Sequence, residues 1–129
     1  MFGSNKEGAH GGGAAREARL HHGAIWGQGE GFQGSSYAIF TCGKPVGQPG
    51  YKIDLSEVHA CVQRFLDAAV AELNGDNRYA YQITQIGTGL AGWRTDEIAP
   101  LFQGAPSNVY FDTAWKDYVD ADAKFWGTF

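Results

Sequence analysis

The sequence predicts an α/β domain with a mixed sheet flanked by helices, and three observations carry that prediction. Short β-prone runs alternate with helical patterns along the chain. Residues Leu55 to Asn74 place Leu55, Val58, Val62, Phe65, Leu66, Ala69 and Leu73 on one helical face, a stripe that needs a sheet to cover. Glycine-rich segments sit where strands hand over to helices, as α/β folds require. At 129 residues and 43% hydrophobic composition, the whole chain is expected to form one domain with its own core.

Taken in order, Met1-Phe2-Gly3 reads as the end of a first strand that is nearly absent, as if the N-terminus were truncated or began at a late Met. Gly12 to Leu20 reads as a helix opened by glycines, and Ser36 to Thr41 as a strand of β-branched and aromatic residues. Gly43 to Tyr51, with Pro45 and Pro49, is a connecting loop. The helix from Leu55 has Asp54 and Glu57 as a capping box and Gly75 as its C′ residue. Arg78 to Ile86 is the next strand, Thr95 to Phe102 a short helix with acidic residues in its first turn, and Asn108 to Phe111 the last strand. The tail from Thr113 to Phe129, with Trp115, Tyr118, Phe125 and Trp126, is expected to be a packed helical turn or two.

Composition excludes several classes of function. A net charge of −4 gives no electrostatic footprint for nucleic acid. No apolar run approaches the roughly 18 residues of a membrane span, and the first residues do not form a signal peptide. Cys42 and Cys61 lack metal spacing and read as reduced thiols of a cytoplasmic protein, and four histidines without paired spacing argue against a metal site. Thirteen of the 19 glycines fall in the first fifty residues. Ile25, Trp26 and Phe32 within the densest run, Gly23 to Gly34, favour an ordered loop over a linker.

The chemistry lies in two loops. Gly87-Thr88-Gly89-Leu90-Ala91-Gly92 follows a strand and precedes a helix, so its backbone N–H groups and the helix dipole suit a phosphate. A nicotinamide-type dinucleotide fold would add an acid about twenty residues on, where Asp112 stands. Against it, the helix after the loop is short and seventeen residues follow Asp112. No Gly-Lys-Ser/Thr supports a P-loop. Phe2-Gly3-Ser4-Asn5 leading into His10-Gly11-Gly12-Gly13-Ala14-Ala15 repeats the logic of strand end, loop, glycine run and helix. Two such loops suit the two phosphates of one diphosphate.

With those loops, Gly23 to Gly31, Ser36-Tyr37-Ala38-Ile39 and Glu97 to Phe102, the chain resembles a macro domain, and more closely the macro-domain-like family of phage non-structural proteins. The resemblance runs to about Trp115. It implies binding of ADP-ribose or a related nucleotide diphosphate without a further cofactor, in a bacterium or a phage-infected host cell. By that resemblance Asn5 orients the distal ribose beside Gly11, Gly12 and Gly13. Gly87, Thr88, Gly89, Leu90, Ala91, Gly92 and Trp93 wrap the diphosphate, and Tyr110 or Phe111 stacks the adenine. The acid that reads the adenine amine in macro domains has no counterpart near the start of this chain. A hydrolase of a bond at the distal ribose would use a water activated by substrate phosphate, His10 or Glu30, whereas a binder needs none of these. Two other readings stay open: a phage-encoded interaction domain with structural glycine loops, and a small NAD-type binding protein. His10 and Glu30 also read as surface loop residues, and Asn5 as a turn residue.

Overall fold

The computed structural model describes residues 1–75, 79–89 and 91–128, so Arg78 in the strand and Leu90 in the late loop lie outside the described residues. The chain divides into two compact units, Met1–Cys61 and Val62–Phe129. Each carries a three-stranded sheet, in place of the one mixed sheet that the sequence predicts. The alternation of elements marks where strands are but not which strands pair, because pairing partners are remote in sequence.

In the first unit the strands are β1 (Phe2–Asn5), β2 (Gly31–Gln33) and β3 (Ser36–Cys42), in the order β1-β3-β2. β3 pairs parallel with β1 and antiparallel with β2, and all seven of its residues are buried. A central strand covered on both faces reads as a near-continuous apolar run, which is why Tyr37 to Phe40 is legible. The first helix, α1, is Gly13–His21. It turns Ala15 and Ala18 into a small cluster with Phe2, Ala24 and Ala38, where alanine side chains occupy little space between the packed elements. β2 has no counterpart among the predicted strands, since three residues opened by a glycine show no alternation.

The long helix, α2, is Leu55–Asn74, as its apolar stripe predicts, and it crosses the boundary between the units. Val58, Cys61, Val62, Phe65 and Ala69 are wholly buried along it. The Glu57 carboxylate accepts the Asp54 N–H at 3.1 Å, half of the expected capping box. Gly75 closes the helix with an N–H to the Glu72 carbonyl at 3.2 Å and does not adopt the left-handed conformation of a C′ glycine.

The second unit holds β4 (Tyr81–Ile83), α3 (Thr95–Ile98) continued by a 3-10 turn (Ala99–Phe102), β5 (Val109–Asp112), a second 3-10 turn (Thr113–Trp115) and β6 (Lys124–Gly127). Its sheet runs β4-β5-β6 and is parallel throughout. The tail therefore opens with an expected packed helical turn, Thr113–Trp115, and then adds a strand that the sequence does not predict. Lys124 to Gly127 is too short to show a period, and its aromatic pair suits the ladder beside Tyr110 to Asp112. The expected strand from Arg78 to Ile86 contracts because the chain turns at once, with Ile86 N–H on the Thr84 carbonyl at 2.8 Å. Phe65, Tyr81, Phe102, Phe111 and Trp115 form the aromatic core, with ring centroids 5.1 to 6.3 Å apart. Their edge and tilted contacts are the arrangement that aromatic quadrupoles favour.

Candidate functional site

The first loop leaves the carboxyl end of β1, the usual position for a ligand loop in an α/β sheet. Asn5 there is committed to its own turn: its Nδ2 donates to the Ala9 carbonyl and its Oδ1 accepts the Ala9 N–H, both at 3.1 Å. Gly8 N–H adds a bond to the Asn5 carbonyl at 2.9 Å. The residue is 6% exposed, and these side-chain bonds serve to fix the loop.

His10 is wholly buried, contrary to the surface position that the sequence suggests. Its Nε2 lies 3.0 Å from the Gln28 carbonyl and 3.3 Å from Gln33 Oε1. Gln33 Oε1 also accepts the Ile25 N–H, and Gln33 Nε2 donates to the Gln28 carbonyl, which fixes the amide's orientation. Both neighbours of His10 Nε2 are acceptors, so that nitrogen is assigned a proton. Nδ1 has no hydrogen-bond partner. The ring stands edge-on to Phe2 and Trp26, enclosed behind the loop. Glu30 is half-buried, and its carbonyl anchors Gln28 Nε2 at 3.0 Å.

The glycines divide by what a side chain would meet. A Cβ on Gly8 would overlap Gln28 backbone, one on Gly29 would overlap the Asn5 carbonyl, and one on Gly23 would stand 2.9 Å from Gly34 Cα. These glycines let the segment from Gly23 to Gly34 lie directly on the chain around it, confirming an ordered loop. Gly13, Gly87 and Gly92 sit in the left-handed region, where glycine is the residue without a steric cost. Gly11, Gly12 and Gly89 meet neither condition. All three are exposed, and the nearest atom to any Cβ there is Trp26 Cη2, 3.8 Å from Gly11. Gly12 caps α1 with no side-chain hydrogen bond, and no acid stands in that helix's first turn.

The late loop leaves the carboxyl end of β4 and is closed by its own backbone. Gly92 N–H donates to Gly89 and Trp93 N–H to Gly87, both at 3.0 Å, and Thr88 Oγ1 donates to the Gln85 carbonyl at 2.8 Å. The helix expected to supply a dipole is α3, four residues long, with Asp96 and Glu97 in its first turn. Glu97 takes the Arg94 N–H at 3.0 Å. A helix this short has little dipole to offer an anion. Gly87, Thr88, Ala91 and Trp93 are half-buried, while Gly89 and Gly92 are exposed.

The two aromatic candidates part company. Phe111 is a core residue packed on Phe102 and Trp115. Tyr110, on the alternate face, lines a cavity of about 250 Å3 with Tyr79, Asn108 and Lys124, whose ammonium stands 5.8 Å from the ring centroid. That cavity lies beside the amino-terminal ends of the strands, away from the glycine loop. Asp112 ends β5 fully buried, with Oδ1 on the Ala114 N–H at 2.9 Å and Oδ2 on Gln85 Nε2 at 3.3 Å. In the sequence Asp112 stands out as a ribose acid at a strand end, but its tie to Gln85 leaves no trace there. Among the described residues no three potential ligands gather for a metal, and no helix is long and apolar enough to cross a membrane. Comparison with family models, curated proteins and solved structures finds no match.

Proposed function

We propose that the chain binds ADP-ribose or a related nucleotide diphosphate through the backbone of its glycine loops. The observation that carries this reading is the placement of Gly11, Gly12 and Gly89. Neither packing nor backbone conformation within the protein demands glycine at these positions. Close approach of something from outside is the remaining physical reason, and both stretches follow parallel strands at their carboxyl ends. In the first unit the uncapped start of α1 supplies free-standing N–H donors, which favour an anionic group. In the second, the self-closed loop presents its exposed turn at Gly89.

The reading is of a binder. Asn5 is taken up by Ala9 and His10 is enclosed, so neither is placed to activate a water. Binding to the folded state alone raises stability by mass action, by about 2.7 kcal/mol at a ligand concentration one hundred times Kd. Thermal unfolding with ADP-ribose, AMP and no ligand tests the reading. The expected order of melting temperature is ADP-ribose above AMP above none. Identical curves at millimolar ADP-ribose would reject it.

A further inference from the structure

We infer that Asp112 is a positioning residue for the late glycine loop, acting through the side chain of Gln85. Asp112 terminates the middle strand of the parallel sheet and is fully buried. One carboxyl oxygen caps the 3-10 turn that follows, at Ala114, and the other faces Gln85 Nε2 at 3.3 Å. Gln85 is the root of the loop: its carbonyl takes the Thr88 hydroxyl at 2.8 Å and the Thr88 N–H at 3.5 Å. The next bonds, Trp93 to Gly87 and Gly92 to Gly89, close the loop above that root. The loop's base is thus hydrogen-bonded to a residue that the strand ladder and the 3-10 turn already hold. Gln85 is otherwise exposed, so its side chain has water as an alternative and must be drawn to Asp112. The parts are complementary: a carboxyl oxygen accepts and the amide nitrogen supplies the donor.

The ligand half of this inference rests on the proposed nucleotide-diphosphate binding; the loop half does not. The test is a charge-and-donor swap read by amide hydrogen exchange of the unliganded protein. Gln85→Glu removes the donor and sets two carboxyl groups against each other. Exchange at Gly92 and Trp93 should then quicken by roughly tenfold, the weight of a hydrogen bond to a carboxylate. The amides of Val109 and Phe111 should keep their protection. Adding Asp112→Asn restores a donor on the opposite side and keeps an acceptor for Ala114, so the double variant should recover slow exchange in the loop. Unchanged exchange in Gln85→Glu overturns the inference, and so does a double variant as loose as the single one. ADP-ribose affinity should fall and recover in the same pattern. The exchange pattern in a chain that binds no ADP-ribose would uphold Asp112 as the loop's anchor and overturn the proposed ligand.

Discussion

Replacing Gly29 by alanine puts a methyl group onto the Asn5 carbonyl oxygen and 2.9 Å from that of Lys6. Both obstacles are backbone, held by the β1–β3 ladder and by Lys6 N–H on the Cys42 carbonyl at 3.0 Å. Neither can swing aside like a flexible side chain, so relief requires the segment from Gly23 to Gly34 to lift from the β1 loop. Lifting it strains the bond from Gly27 N–H to the Gly8 carbonyl and the hydroxyl bond from Ser4 to the Gly29 carbonyl. Overpacking of this kind costs about 1–3 kcal/mol, and immovable neighbours place Gly29→Ala near the upper end. For a chain of 129 residues, each kcal/mol moves the melting temperature by about 3–5 °C, giving a loss of about 9–15 °C. Gly89→Ala is the matched control, because its Cβ meets nothing within 4 Å and its backbone is outside the left-handed region. It should lie within about 0.5 kcal/mol of the parent or be slightly more stable. Urea unfolding at constant m-value reads both variants. Equal stabilities for the two would refute the division of the glycines into packed and bare.

Other expectations follow from burial and charge. Phe65→Ala empties a wholly buried ring site against Tyr81 and Phe102, and unfolding should cost about 3–5 kcal/mol less. Burial pushes the Cys42 thiol above its ordinary pKa, so iodoacetamide at pH 8 should label it more slowly than free cysteine until the protein unfolds. A hydrogen bond from Lys6, then the Asp54 N–H, holds the Glu57 carboxyl below its ordinary range. That contribution is present above the unfolded pKa and is lost as pH falls through the lowered folded value. The pair is exposed and the effect small, so the stability gap between the parent and Glu57→Gln should narrow from pH 7 to pH 3.

Where the sequence speaks through periodicity it speaks clearly. The stripe from Leu55 to Leu73 and the apolar run of β3 each need only local spacing to be recognised. Strand pairing needs more. The partition into two sheets and the return of Lys124 to Gly127 beside β5 depend on contacts between distant residues that no window contains. The same limit governs the candidate site. Gly8, Gly29, Gly12 and Gly89 are the same letter, yet two are wedged against backbone and two face open space. His10 looks like a loop histidine because its neighbours are glycines, but Phe2, Trp26, Gln28 and Gln33 close over it. Tyr110 and Phe111 are adjacent and chemically alike, and the strand's alternation sends one to a cavity and the other to the core.

The central claim is that bare glycine backbone receives a nucleotide diphosphate, and one titration tests it most directly. Calorimetry of ADP-ribose into the parent chain and into Gly89→Val compares two proteins whose folds should match, since a Cβ at that position meets no neighbour within 4 Å. A side chain there should block the approach of the diphosphate and weaken binding by tenfold or more, roughly 1.4 kcal/mol, with unfolding curves that superimpose. Equal ADP-ribose affinity in the two proteins, or none in either, would contradict the account.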